Sequence, residues 1–185
     1  MNSGISQPSD ESIAIEVQKG NVEAFGLLAG RYRPKLLRYG SKLLFNKSEV
    51  EDAVQEIFLR AYQYIQSFDA KQKFSPWIYR IAHNQFINLG KKRARELLDF
   101  FDPETFFPHF GMRPAFGEKA DGQIKELLDE FVNKLDLKYK EPLLLYHIEG
   151  FAYKEIAQIL KIPTGTVSIR IARGLAKLKN LCRPV

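Results

Sequence analysis

From Tyr153 to Leu181 the chain reads YKEIAQILKIPTGTVSIRIARGLAKLKNL. The spacing predicts a short helix over Tyr153–Leu160, a break at Lys161-Ile162-Pro163, and a longer basic helix over Thr164–Leu181. That is the outline of a helix-turn-helix. Ile156, Ala157 and Leu160 face inward on the first helix, where Ala157 is small enough for close approach. On the second, Val167, Ile171, Leu175 and Leu178 recur at steps of four, four and three as one buried stripe. Thr166, Ile169, Arg170, Arg173 and Lys177 are left outward. Arg pairs bidentately with guanine in a major groove, Thr meets bases or phosphates, and Lys177 suits a backbone phosphate. The free N–H groups at the Thr164–Thr166 end favour a phosphate too. A plain helical hairpin with a basic face fits the outline equally well.

Charge carries the reading outward. The 185 residues hold 28 Lys+Arg and 22 Asp+Glu, for a net charge of +6 and a pI near 9.3. Ala70–Arg95 contains seven bases and no acid, and Ile156–Val185 contains six bases and no acid. Everything else carries 15 bases against 22 acids. Two separated basic surfaces on an acidic remainder suit two contacts with a polyanion, nucleic acid being the commonest. Two solvated helix faces would look the same.

The rest of the chain is punctuated as helix. Asp10 is expected to cap a short helix ending before Gly20, and Asn21 to start the next, with apolar spacing through to Phe45 that Pro34 divides or bends. Ser48-Glu49-Val50-Glu51 has the form of a capping box. It opens a helix whose buried stripe is Val50, Ala53, Val54, Ile57, Phe58, Ala61 and Ile65. Ser75-Pro76 starts another, running to about Arg95, with Ile78, Ile81, Ala82 and Leu89 toward the core. Trp77 reads as a core anchor, while Phe68 and Phe74 fit either a core or a stacking role.

From Leu97 to Asp121 the periodicity fails, and Asp99–Gly111 mixes Pro and Gly with five phenylalanines. A disordered spacer is poor in aromatics, so this linker is expected to dock, on its own domains or on a partner. Helices are expected again at Ile124–Leu135 and at Tyr139–Glu149, the second stopped by Gly150.

Beyond the basic outline, Glu141-Pro142-Leu143-Leu144-Leu145-Tyr146, Glu149-Gly150-Phe151-Ala152-Tyr153-Lys154-Glu155-Ile156-Ala157, and Ile162-Pro163-Thr164-Gly165-Thr166-Val167 with Arg170 resemble region 4 of bacterial sigma-70-type factors. The spacing is similar to that of the extracytoplasmic-function (ECF) group. In that family this domain recognises the −35 promoter element and touches the polymerase β-subunit flap. Ala152 stands where the family usually has a capping Ser or Thr, an omission worth about 0.5–2 kcal/mol locally.

The first half carries the same resemblance. Asp52-Ala53-Val54-Gln55-Glu56-Ile57-Phe58-Leu59-Arg60-Ala61-Tyr62 is similar to region 2.2, the helix that docks on the polymerase β′ clamp. Asp52, Gln55, Glu56 and Leu59 share one helical face opposite the buried stripe. Phe68–Asn84 resembles regions 2.3 and 2.4, which open and hold the −10 DNA. Holding unpaired bases takes π-faces, a base pocket and backbone cations. Arg80, His83, Asn84, Asn88, Lys91 and Arg95 form a polar stripe at three- and four-residue spacing. Asn84 is the candidate for base-edge contact, and Arg80, Lys91 and Lys92 for phosphates. The family's Asp is replaced by Asn88, and its Arg pair by Lys91-Lys92.

The resemblance implies an all-α protein of two small helical domains: a region 2 bundle over residues 1–95 and a region 4 helix-turn-helix over 124–185, joined by the Phe/Pro-rich linker 96–123. It implies an alternative sigma factor that binds core RNA polymerase at the β′ clamp and β flap and works on promoter DNA. The −35 contacts would be Thr164, Thr166, Ile169, Arg170, Arg173 and Lys177. Such factors are often held by an anti-sigma protein, a further candidate partner. A free-standing helix-turn-helix regulator is the alternative. No nucleophile–base pair, phosphate-binding loop or metal-ligand spacing is present, so no enzyme, metal or cofactor is expected. Cys182 alone builds no internal disulfide, no run approaches a membrane span, and the N-terminus lacks the pattern of a signal peptide. The expectation is a cytoplasmic protein without membrane insertion.

Overall fold

A computed structural model describes residues 8–44, 46–100, 131 and 134–181, for 94–100 and 179 the backbone alone. Among the described residues there are helices and turns and no strand. The Phe-rich stretch from residue 101 and nearly all of the helix expected at Ile124–Leu135 lie outside them.

Helix α1 spans Asp10–Gln18, α2 Val22–Leu43, α3 Lys47–Gln63 and α4 Phe74–Phe100, with a 3-10 turn at Ile65–Ser67. Their caps correct the sequence reading in three places. Ser9, not Asp10, caps α1, accepting from the Ser12 N–H at 3.1 Å. The Asp10 carboxylate turns instead to α2, where it takes Arg31 at 2.6 Å and the Tyr32 hydroxyl at 2.6 Å. A guanidinium and a phenol together outbid one backbone N–H.

At α3 the cap is Asn46, whose Oδ1 accepts from Ser48 at 2.9 Å and Glu49 at 3.5 Å, so the Ser48 capping box does not form. Helix α4 starts one residue ahead of Ser75, because Glu11 Oε1 accepts the Phe74 N–H at 3.0 Å. It also runs past Arg95. Asn21 caps α2 as expected, and Gly20 turns the chain at a φ of +102°.

Pro34 does not divide α2. It sits on the exposed side, while Leu28, Tyr32, Leu36 and Tyr39 bury the other. Burial of four large side chains exceeds the ~3 kcal/mol an interior Pro costs. These residues close a core with Ile13, Val17, Val54, Ile57, Phe74, Ile78 and Phe86. Gly40 lets α2, α3 and α4 meet: a Cβ there would lie 2.6 Å from Phe86 and 2.9 Å from Val50. Trp77 packs its ring at 5.3 Å from both Phe68 and Phe74, which are themselves buried, so all three belong to the core.

The second unit is α5 at Leu137–Leu143, a π turn at Leu144–Ile148, α6 at Tyr153–Leu160 and α7 at Thr164–Leu181. Gly150, at a φ of +75°, ends the π turn. The break before α7 begins at Lys161, held left-handed at a φ of +53°. Ile156 is fully buried, and so is Ile159, which the inward reading of α6 omitted.

The stripe on α7 needs one correction. Leu175 is 44% exposed, and Gly174 takes its place between Ile171 and Leu178. Helix α5 comes too close for a side chain there, since a Cβ on Gly174 would lie 2.7 Å from Leu143 Cδ1.

Candidate nucleic-acid interface

Opposite its buried stripe, α7 presents the residues singled out for DNA. Ile169 is 53% exposed, Thr164, Arg173 and Lys177 are exposed, and Thr166 and Arg170 are half-buried. The Lys177 ammonium lies 5.3 Å from the Tyr139 ring centroid, so α5 holds it at the edge of this face. The first turn of α6 lacks a capping side chain at Ala152, but Glu155 Oε2 accepts the Ala152 N–H at 2.8 Å and supplies half of the missing box.

Along α4, Asn84, Asn88, Lys91 and Lys92 are exposed and Arg80 is half-buried. The Arg95 side chain lies outside the described residues. His83 differs from its neighbours: its Nδ1 meets Glu141 Oε1 of α5 at 2.5 Å. On α3, Asp52, Gln55 and Leu59 are exposed on one face, with Leu59 at 59%, and Glu56 is half-buried and pairs with Arg60 at 2.7 Å.

The His83 contact is one of a set that joins the two units. Glu141 also accepts the Tyr39 hydroxyl. Glu149, whose side chain is 3% exposed, takes Arg38 through both oxygens at 3.0 and 2.7 Å and the Tyr79 hydroxyl at 2.5 Å. Lys73 reaches Glu155 at 2.8 Å, and the Tyr79 ring stacks edge-on against Phe151 at 4.7 Å. Thus α2, α4 and Lys73 just ahead of α4 supply hydroxyls, an imidazole and cations, and the second unit supplies three carboxylates.

The electrostatics follow the geometry. Burial pushes the Tyr39 and Tyr79 hydroxyls well up, and the carboxylates of Glu141 and Glu149 push them further, so both stay protonated donors. Hydrogen bonding to Glu149 raises Arg38. At Glu155 burial alone would raise the carboxyl, but the Lys73 hydrogen bond, the Ala152 N–H and the Lys73 charge together hold it below its ordinary range.

Sequence reasoning missed this junction. The available signal was Tyr39 and Tyr79 on apolar stripes, since a buried tyrosine needs an acceptor. The acceptors lie 102 residues from Tyr39 and 70 from Tyr79, where no spacing rule reaches.

Comparison with known proteins settles the class. The family model described as sigma-70 region 2 matches residues 28–96, and that described as sigma-70, region 4 matches 125–178. The chain is 34% identical over 178 residues to the ECF RNA polymerase sigma factor SigW of Bacillus subtilis, covering 91% of this chain and 94% of that one. This chain belongs to the ECF group of the sigma-70 family.

It is also 30% identical over 190 residues to the ECF sigma-E factor of Haemophilus influenzae, covering 97% and 98% of the two chains. Among solved structures, CnrH in complex with the cytosolic domain of CnrY is similar at a TM-score of 0.69 and 25% identity, covering 94% of this chain and 97% of that one. RpoE bound to the anti-sigma factor NepR from Bartonella quintana is similar at 0.71 and 26%, covering 86% and 97%. As a sigma factor this protein directs transcription with core RNA polymerase on promoter DNA, and the covalent chemistry belongs to the polymerase. Among the described residues no helix is long and apolar enough to cross a membrane, and no cluster of three or more His, Cys, Asp or Glu is placed to hold a metal.

Proposed function

We propose that this ECF sigma factor reads the −35 duplex with Thr164, Thr166, Ile169, Arg170, Arg173 and Lys177 on α7. It melts and traps the −10 strand with Arg80, His83, Asn84, Asn88, Lys91, Lys92 and Arg95 on α4. Asp52, Gln55, Glu56 and Leu59 on α3 dock on the polymerase β′ clamp, and the second unit meets the β flap. The corresponding domains are residues 1–95 and 124–185, with 96–123 between them. A cytoplasmic location and an anti-sigma partner complete the proposal, the latter supported by the structural relative RpoE in complex with the anti-sigma factor NepR.

The observation that carries it is the face of α7. A helix that buries Val167, Ile171 and Leu178 leaves Ile169, Arg173 and Lys177 exposed on the other side, on a helix-turn-helix. Such a face suits base edges flanked by phosphates. The −35 and −10 elements are ~25 base pairs apart, on the order of 85 Å along B-DNA at ~3.4 Å per pair. Two units in hydrogen-bond contact do not span that, so engagement requires the junction at Glu141, Glu149 and Glu155 to open.

Reconstitution with bacterial core polymerase and run-off transcription across random promoters tests the reading. The expected outcome is promoter-dependent transcripts that require a −35 sequence and are lost with Arg170→Ala/Arg173→Ala. Tight, specific duplex binding without polymerase, and no promoter-dependent transcript with it, would favour a free-standing regulator.

A further inference from the structure

Ile169 is an oddity on a face read as DNA-contacting. At 3.6 residues per turn it lies roughly opposite the buried line of Val167, Ile171, Gly174 and Leu178, away from the core that the described residues form. It remains 53% exposed, one turn from Arg173 and beside Arg170. Its neighbours at the centre of that face are small: Gly165 and Ala172, both exposed. A helix with small residues at its crest settles deep into a groove, and the one large side chain there meets base edges first. That side chain has no hydrogen-bonding atom. In the major groove the only apolar group on any base edge is the thymine 5-methyl.

Resting on the −35 reading above, we infer that Ile169 selects a thymine by packing on its 5-methyl group, while Arg170 and Arg173 fix the helix on flanking guanines or phosphates. The direction of charge supports DNA as occupant, since Ile156–Val185 carries six bases and no acid. A protein partner for the isoleucine would call for acids to match those bases.

The test begins by finding the promoter. The best −35 sequence is selected from a random library by run-off transcription with the holoenzyme. Each thymine in it, on either strand, is then replaced by deoxyuridine, which removes the methyl group and nothing else. At one position the wild-type holoenzyme should lose about three- to fivefold in open-complex formation, the loss expected for one buried methyl. Ile169→Ala should be indifferent to the same replacement, and Ile169→Val should fall between. Being exposed, Ile169 tolerates these changes, and thermal melting confirms that the variants fold.

Wild type insensitive to deoxyuridine at every position, or Ile169→Ala with an undiminished deoxyuridine penalty, would overturn the inference. Arg170→Ala/Arg173→Ala separates the two levels. If it abolishes −35 dependence while deoxyuridine has no effect, the −35 reading stands and the thymine contact falls. If it leaves −35 dependence intact, the reading of α7 falls first.

Discussion

Helices α4 and α7 both draw most of their length from acid-free stretches of the chain, yet they are presented differently. Among the described residues no other element lies against the centre of the outward face of α7, where Ile169 and Arg173 are exposed. On α4, Asn84, Asn88 and Lys91 are exposed, but Tyr79 is engaged with Glu149, His83 with Glu141 and Arg93 with Glu49. The difference teaches that charge composition locates a basic surface without saying whether it is free. Acids from a distant segment supply to α4 the kind of partner that a phosphate would otherwise be. The outward face of α7 is exposed with the two units in contact, whereas part of α4 is covered by the second unit.

The largest effect is expected from stripping cations off each helix in turn. Arg170→Ala/Arg173→Ala should reduce −35-dependent transcription by about a hundredfold or more, at ~1–3 kcal/mol per lost bidentate contact. Lys91→Ala/Lys92→Ala should leave recruitment to a −35 duplex unchanged and lower open-complex formation about tenfold, as suits phosphate contacts. Gel-shift and permanganate footprinting on the same holoenzyme measure the two steps. An identical defect in both variants would erase the contrast between α4 and α7.

Next is the junction itself. Glu149→Ala leaves the Arg38 guanidinium and the buried Tyr79 hydroxyl without their acceptor. Arg38 is half exposed, so the cost is discounted to about 1–3 kcal/mol, a ten- to hundredfold shift toward separated units. Small-angle scattering of the free protein should record a larger radius of gyration. Arg38→Glu/Glu149→Arg should restore part of the compact population, and no change in either variant would remove the junction as a determinant of shape.

How far the two regions are legible in the sequence follows from the range of the interactions involved. Helices α6 and α7 are legible to their ends, because Pro163 and the apolar spacing are local signals. The exposed positions on α3 and α7 follow from the same spacing. The caps at Ser9 and Asn46 lie one or two residues from where the sequence suggests them, because several Ser, Asn and Asp compete and tertiary partners decide. Leu175 reads as buried because it is apolar, though only the closeness of α5 shows that Gly174 belongs there. The three carboxylates are illegible as a group, since each finds its partners across the chain. Gly174→Ala should therefore destabilise by about 1–3 kcal/mol through overpacking against Leu143, while Leu175→Lys should stay within about 0.5 kcal/mol. Thermal melts that ranked them the other way would refute the packing of α5 on α7.

The smallest effect concerns Lys73 and Glu155, at the exposed rim of the junction. The carboxyl of Glu155 is lowered in the closed form, so its contribution is present above the ordinary value of 4.5 and is lost as the pH falls through the lowered one. Hydrogen bonding to Glu155 raises Lys73, whose contribution is present below the ordinary 10.5 and is lost as the pH rises through the raised value. The pair thus favours closure between those limits, with the Ala152 N–H facing Glu155 and the Glu11 charge facing Lys73. The difference in compactness between wild type and Lys73→Ala should be flat from about pH 5 to pH 10 and shrink below pH 4.5. Because Lys73 is solvated, the difference should also fade as salt rises from about 0.05 to about 0.5 M, whereas the Glu149 effect should persist. A salt-sensitive Glu149 effect beside a salt-insensitive Lys73 effect would invert which contact is buried and which is rim.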